Sequence, residues 1–465
     1  MVALLYSSYA VPVPPYVMNT LTTPDTVSAY DSFGVSVSIK ENAIAIGADV
    51  GGNSSQGVVH SFVKSGSTWA HENIFIAADG ADGDRFGNSV VIYDEWLFVG
   101  AFLQDRSGKV YVYTHTGVEW ELHSELFPLV RVTNGYFGNR VRAKEYTLMV
   151  SHPSAKVEHE VESGNVNIFN ILGYNWVLGN VLTPEYPSER ALHGFSVDFD
   201  RGDQMIVGAP KEGPTGYGYI YIFHDGQWNV HERVVGLSGA DVGHAVAMNN
   251  GHAAMTSRVG GPTGNGYVVT FKYDTGGNGT WIQSDTILVG DAAGEGTSYY
   301  GNDVAIHNDI LVVGSPFEGA TGAVYVYHWW EGIGWNLQHK LIGPMPGDGD
   351  WYHSMFGWSM DMHDDTLVVG APGASTTHGT QRAGSVFIFT DFVFTIPPTT
   401  APTAHPTRGP TDAPTAHPTG PPVVPTGGPV PVSVPVPSPI PSPGGRPGGP
   451  PVLLYMVTLL LLLMR

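Results

Sequence analysis

Short hydrophobic segments alternate with polar, glycine-rich turns along most of this chain, and the same order of segments recurs seven times. Each unit begins with an aromatic–Gly pair or a variant of it, and a Gly-Ala-Pro-like triplet follows 13 or 14 residues later. The first glycines of the units are Gly34, Gly87, Gly138, Gly194, Gly243, Gly301 and Gly357. A period of 49 to 58 residues indicates an array of units that bury a shared core.

The pattern within each unit predicts four β-strands. The first is short and alternating, and the second is apolar throughout, as in the run that ends at Gly370, so we expect it to be buried on both faces. The third alternates aromatic and β-branched residues after a glycine, which is Gly108 in the second unit and Gly218 in the fourth. The fourth carries an early tryptophan, such as Trp120. With no helical period in the repeats, the pattern predicts an all-β, seven-bladed β-propeller with four-stranded blades.

The two ends of the repeat array predict how the ring closes. The seventh unit reaches a proline shortly after its third strand, so its fourth strand is missing. Residues from Val17 onward have the form of a fourth strand that leads into a first strand. We therefore predict a propeller over residues 17–394 in which the N-terminal strand completes blade 7 and removes exposed sheet edges.

The repeated motifs resemble a known family. Phe33-Gly34 and Phe356-Gly357, together with the triplets 208–210 and 370–372, are similar to the FG-GAP repeats of the integrin α-subunit N-terminal β-propeller and of microbial surface relatives. The resemblance implies a cell-surface module that binds an extracellular protein or glycan through its loop face, without catalysis. His193 and Val242 depart from the aromatic position in the fourth and fifth units.

The calcium loops of many such relatives are absent from this sequence. The resemblance would place an Asp-x-Asp-x-Asp-Gly loop between the first and second strands, because Ca²⁺ needs several converging oxygen ligands. The turns here, such as 306–309 and 362–365, lack that spacing. We therefore expect no metal ligands and no cofactor. Weak calcium binding at the acidic runs 79–84 and 348–350 is the alternative to solvated turns.

Composition excludes several classes of function. Asp and Glu total 42 against 21 Lys and Arg, so a nucleic-acid partner, which requires a basic surface, is not expected. With no cysteine, the chain has no disulfides, thiolate chemistry or Cys-type zinc sites. No catalytic motif is present, so an extracellular hydrolase or lyase acting on polysaccharide or phosphoester is an alternative supported by fold analogy alone. A structural cell-wall or matrix component is a third interpretation.

Candidate ligand-binding residues lie in the loops that join second to third strands and blade to blade. Exposed aromatic residues beside carboxylates suit protein hot spots and stacking on sugar rings. The predicted set is Asp82, Asp84, Tyr299, Asp350, Trp351 and Tyr352. We expect Tyr300 to be the repeat's packing aromatic instead. The tripeptide Arg201-Gly202-Asp203 is predicted to be a hairpin turn.

The two ends of the chain predict display at the cell surface. Residues 395–451 are rich in Pro, Thr and Gly and predict a disordered stalk. The hydrophobic tail 452–465 is shorter than the ~20 residues of a spanning helix and predicts a GPI-attachment signal or a short transmembrane anchor. Residues 1–16 resemble a degenerate signal segment, and Asn53 and Asn278 begin N-glycosylation sequons. The expected location is the extracellular face of the membrane.

Overall fold

The computed structural model describes residues 16–397 apart from short gaps. The gaps are 22–23, 25–26, 53–54, 201, 238, 262–263, 275–278, 285–287, 291–297, 344–353 and 376–381. The predicted signal segment, stalk and tail therefore lie outside the described residues, except for their few residues within 16–397. So do Asn53, Asn278, Asp350, Trp351 and Tyr352.

The described residues form seven four-stranded antiparallel sheets, which are the seven predicted blades. Six of the sheets are meanders with their strands in chain order, and the seventh adds the N-terminal strand to three strands from the end of the repeats. Blade 1 comprises β2 (Ser36–Lys40), β3 (Ala43–Ala48), β4 (Val58–Ser65) and β5 (Thr68–Phe75). Blade 2 comprises β6 (Phe86–Tyr93), β7 (Trp96–Ala101), β8 (Lys109–His115) and β9 (Trp120–Leu126). Blade 3 comprises β10 (Val141–Lys144), β11 (Thr147–His152), β12 (Asn165–Leu172) and β13 (Asn175–Leu182).

The remaining blades repeat this plan. Blade 4 comprises β14 (Ser196–Asp200), β15 (Gln204–Ala209), β16 (Tyr217–His224) and β17 (Gln227–Val235). Blade 5 comprises β18 (Val246–Asn249), β19 (His252–Ser257), β20 (Tyr267–Asp274) and β21 (Thr280–Gln283). Blade 6 comprises β22 (Val304–His307), β23 (Ile310–Ser315), β24 (Ala323–Trp330) and β25 (Gly334–Ile342). Blade 7 comprises β26 (Ser359–His363), β27 (Thr366–Ala371), β28 (Ser385–Thr390) and β1 (Val17–Thr20).

The N-terminal strand closes the ring, as the sequence predicts. Strand β1 pairs with β28 and places Met18 opposite Phe389. Nearer the axis, the hydroxyl of Ser359 in blade 7 donates to the carbonyl oxygen of Gly34 beside blade 1, at 2.8 Å. The first strand of every blade contacts the first strand of the next blade, including β26 with β2. Closure therefore involves both the outer and the inner strands.

The aromatic residues of the repeated pairs form the core between neighbouring blades. Phe86 is fully buried, contacts Tyr111 of its own blade edge to face at 5.2 Å, and shares a cluster with Val59 of blade 1. Tyr300 is also fully buried, and its hydroxyl bonds that of Tyr327 at 2.8 Å. Tyr300 is therefore a packing residue, as predicted.

The fourth blade departs from the predicted pattern at the glycine before its third strand. The repeated glycine before its third strand is Gly216 and not Gly218, because Gly216 has the positive φ of +71° and bridges to Val242 of the next blade. Gly218 instead lies opposite Gly208 within the sheet. His193, which replaces the aromatic residue, is fully buried, and its Nε2 lies 2.9 Å from the hydroxyl of Tyr221.

Candidate functional site

Polar side chains of the first strands bridge neighbouring blades around the axis. Asp361 of blade 7 accepts a hydrogen bond from the backbone N–H of Ile39 in blade 1, at 2.8 Å. Asp303 of blade 6 accepts one from Met360 of blade 7, at 2.7 Å. Because these strands do not pair through their backbones, side-chain acceptors satisfy N–H groups that face the axis.

A small axial cavity between the first strands is lined by charged side chains. Arg140, Arg142 and Asp303 line a cavity of about 30 Å³. Burial raises the pKa of Asp303, an effect that the charge of Arg140 opposes, and it raises the pKa of Asp361 to about 6. A cavity of this volume accommodates a water or two. Charged side chains of blades 3 and 6 therefore meet around this small cavity.

Three half-buried aromatic side chains lie together on the face formed by the loops between second and third strands and between blades. The ring of Tyr299 contacts that of Phe317 edge to face with centroids 5.1 Å apart. Phe317 in turn lies 6.3 Å from the ring of Trp358, which also borders the axial cavity. We call Tyr299, Phe317 and Trp358 the aromatic ridge. It extends from the loop before blade 6 to the start of blade 7.

A partly buried ion pair holds the guanidinium of Arg258 beside the aromatic ridge. The guanidinium of Arg258 lies 5.2 Å from the centre of the Tyr299 ring. Its Nε donates to the carboxylate of Asp241 at 3.1 Å, and Asp241 is 5% exposed. The Asp241 carboxylate also accepts from the Arg258 backbone N–H. Arg258 is thus fixed in position while its charge stays next to a partly exposed aromatic surface.

The three predicted ligand-binding residues that the structure describes occupy different places on the loop face. Tyr299 belongs to the aromatic ridge. Asp82 is exposed in the turn between blades 1 and 2. Asp84 in the same turn is 7% exposed, and its carboxylate accepts from the backbone N–H of Ala81 at 2.6 Å, so it also holds the turn together. A role in ligand binding stays a prediction for all of them.

Sequence reasoning missed Arg258, Phe317 and Trp358. Trp358 directly follows the aromatic–Gly pair of its unit, and Phe317 directly follows the second-strand triplet. Aligning these two positions across the seven units would have found both residues, since the propeller brings equivalent positions to one face. The adhesion-like tripeptide lies elsewhere: Gly202 and Asp203 form the turn between β14 and β15, as predicted, and Arg201 lies outside the described residues.

A larger groove of about 770 Å³ lies on the outer rim between blades 5 and 6. Trp329 and Trp335 contact edge to face at 5.5 Å within it, and the ammonium of Lys272 lies 4.9 Å from the Trp329 ring centre. Lys272 also pairs with Glu331. The groove therefore combines tryptophan rings with a pair of opposite charges.

One cluster of metal-ligating side chains occurs within the part of the chain that the structure describes. His307, His363 and Asp364 converge where β22 and β26 end, on the face opposite the loops.

Among the described residues, no helix is long and apolar enough to cross a membrane.

Comparison with known proteins identifies the repeats and the fold. The family model for the FG-GAP repeat matches residues 69–113, 281–327 and 335–389. A crystal structure described as "a putative 6-phosphogluconolactonase from Bacteroides uniformis" is similar with a TM-score of 0.50 and 12% identity, over 72% of this chain and 90% of that one. At this identity the similarity concerns the fold alone. A search of curated proteins found no match. The chain therefore carries FG-GAP repeats, and its described residues form a seven-bladed β-propeller.

Proposed function

We propose that the propeller is a non-catalytic recognition module that binds an extracellular protein through its loop face. The observation that carries this proposal is the aromatic ridge with Arg258 beside it. Protein-binding hot spots are enriched in aromatic residues and arginine, and the ridge places both side by side. The ridge is formed by residues of adjacent loops, so it is a continuous surface and not a set of isolated side chains.

The resemblance to integrin α-subunit propellers supports display on the extracellular face of the membrane. In this proposal residues 395–451 are a stalk, and residues 452–465 are a GPI signal or a short transmembrane anchor. Asn53 and Asn278 would carry N-glycans. The overall net charge of −21 favours a partner with a basic surface and disfavours nucleic acid.

A binding screen with matched variants tests the proposal. The propeller unit, residues 1–398, is presented to an array of extracellular proteins and glycans. We expect selective binding that weakens at least tenfold in Trp358→Ala, since hot-spot aromatics typically contribute 2 kcal/mol or more. The control is Tyr146→Ala, which removes a 75%-exposed tyrosine from the hairpin between β10 and β11 on the other face. Equal losses in both variants would refute binding through the loop face.

The rim groove supports a glycan as the second candidate ligand. Pyranose rings stack on tryptophan faces, and Trp329 and Trp335 supply two such rings in the groove. Glycan binding that is lost in Trp329→Ala and retained in Trp358→Ala would assign the glycan to the groove. Turnover of a polysaccharide or phosphoester without saturable binding would favour the enzyme alternative. If the protein shows neither binding nor turnover, the structural-component alternative is favoured.

A further inference from the structure

Two histidines occupy the same position in successive blades and point at one carboxylate. His307 ends β22 of blade 6, and His363 ends β26 of blade 7. The Nε2 atom of His307 lies 3.5 Å from Oδ1 of Asp364, and the Nε2 atom of His363 lies 3.9 Å from Oδ2 of the same residue. The propeller's rotation from one blade to the next therefore brings together three side chains that can ligate a metal.

The spacing of these atoms suits a small tetrahedral ion. One ligand atom from each residue lies within 4.8 Å of the other two. Metal–ligand bonds of about 2.0–2.1 Å in a tetrahedral zinc site place the ligand atoms roughly 3.4 Å apart. A contraction on the order of 1 Å is thus sufficient. The side chain of Asp364 is 77% exposed, so it can rotate toward both imidazoles without disturbing the core.

Both imidazoles are partly buried, and the cations near them are Lys40 and Lys144. Imidazole ligates metals in its neutral form.

The nearby lysines are engaged by neighbouring blades. The ammonium of Lys40 lies over the Tyr93 ring at 5.4 Å, and that of Lys144 bonds the carboxylate of Asp200 at 2.8 Å. The bond between Lys144 and Asp200 joins blades 3 and 4, so side chains at the ends of first strands contact the next blade elsewhere in the ring as well. Between blades 6 and 7 the residues that do so are two imidazoles and a carboxylate.

We propose that His307, His363 and Asp364 bind one divalent transition-metal ion of the zinc type, with a fourth position open to water. Two nitrogen ligands and one oxygen ligand match zinc and its neighbours, whereas calcium requires six to eight oxygens. The ion joins blade 6 to blade 7, the blade that the N-terminal strand completes. It is distinct in ligands and chemistry from the calcium loops that this sequence lacks.

Titration of the metal-free full-length chain with zinc tests the proposal. Calorimetry is expected to give one site per chain, and Co²⁺ is expected to give the visible absorption of a four-coordinate nitrogen and oxygen site. His307→Ala and Asp364→Asn should each weaken zinc binding at least tenfold. The matched control is His159→Ala, which removes an exposed histidine of blade 3.

The zinc stoichiometry and the zinc affinities of the variants together decide whether the proposed site exists. Asp364→Asn keeps the volume of an exposed side chain, so loss of binding there does not reflect misfolding. A rise in melting temperature on adding zinc, present in the wild type and absent in both variants, would support an ion that joins the blades. Absence of a one-to-one site, zinc binding unchanged in both variants, or binding that also disappears in His159→Ala would overturn the proposal.

Discussion

The α-carbon of Gly108 in blade 2 faces the carbonyl oxygen of Phe137, which leads into blade 3. A Cβ on Gly108 would come closer than 3.0 Å to that oxygen, a separation that real Cβ atoms essentially never show. The corresponding glycines of the other blades stand against the equivalent carbonyl of the next blade in the same way. The glycine therefore sets how closely two blades approach.

Gly108→Ala should destabilise the propeller far more than Gly117→Ala. Both glycines belong to blade 2 and have nearly equal positive φ, +94° and +90°, but Gly117 has nothing within 4 Å of its added Cβ. We expect about 1–2 kcal/mol of conformational cost at Gly117. At Gly108 a further 2 kcal/mol or more arises because the blades must separate. Urea unfolding of both variants measures the difference, and equal costs would contradict a steric role at the blade contact.

Removal of residues 1–21 should open the ring. The truncation deletes β1, exposes the edge of β28, and removes Leu21, which is 3% exposed in the core shared by blades 7 and 1. An unpaired edge strand favours association with other chains. We expect oligomers or aggregates in size-exclusion chromatography and loss of a single cooperative unfolding transition. A chain that begins at residue 12 retains β1 and is the control. A monomeric, cooperative truncated protein would show that closure by β1 is dispensable.

Buried His193 should make the protein sensitive to acid. Burial lowers the pKa of His193 to about 3 in the folded state, against 6.5 for the unfolded chain. Because the unfolded state binds the proton first, the stability that His193 contributes is complete above pH 6.5 and declines as the pH falls toward 3. The slope is about 1.4 kcal/mol per pH unit below 6.5.

His193→Phe tests this linkage, because phenylalanine is the residue that other units have at this position. The variant loses the bond to Tyr221, so it should be about 1 kcal/mol less stable at pH 7.5. Between pH 7.5 and pH 5.0 its stability relative to wild type should rise by about 2 kcal/mol. Urea unfolding at both pH values measures the shift, with His159→Gln as an exposed control. A constant difference would mean that His193 has the same pKa in the folded and unfolded states.

The fold could be predicted from the local sequence because each repeated residue has a defined structural role where two blades meet. Gly34 and Phe33 mark close approach and core packing, and the missing fourth strand of the seventh unit predicted the closing role of Val17–Thr20. Gly216 was missed because a second glycine two residues later also fits the alternating pattern, and only the bridge to the next blade distinguishes them.

The sites were harder to predict because they combine residues from different blades. Phe317 and Trp358 meet only because two separate loops converge near the axis. His307 and His363 are far apart in sequence, and a search for metal ligands at short spacing does not find them. Both histidines occupy the same position in consecutive repeats, so an alignment of the seven units would reveal the pair.

Asp361 should make the opposite contribution to acid stability from His193. Its carboxylate accepts from the backbone N–H groups of Ile39 at 2.8 Å and Met362 at 3.0 Å, and burial raises its pKa to about 6. A folded pKa above the unfolded value of 3.8 means that the folded state binds the proton more tightly. The stabilisation from Asp361 is thus greatest in acid and is lost as the pH rises through 6.

Asp361→Asn removes the pH-dependent contribution of the carboxyl group to stability. The asparagine keeps one oxygen atom that can accept the hydrogen bond from blade 1. Relative to wild type, the variant should lose about 2 kcal/mol of stability between pH 7.5 and pH 4.5. Titration of other groups is common to both proteins, so it cancels from the difference. Asp94→Asn, an exposed residue in the equivalent turn of blade 2, is the control for a general effect of removing negative charge. If the Asp361→Asn difference were the same at both pH values, the carboxylate would be ionised throughout this range, and the link between blades 7 and 1 would not depend on protonation.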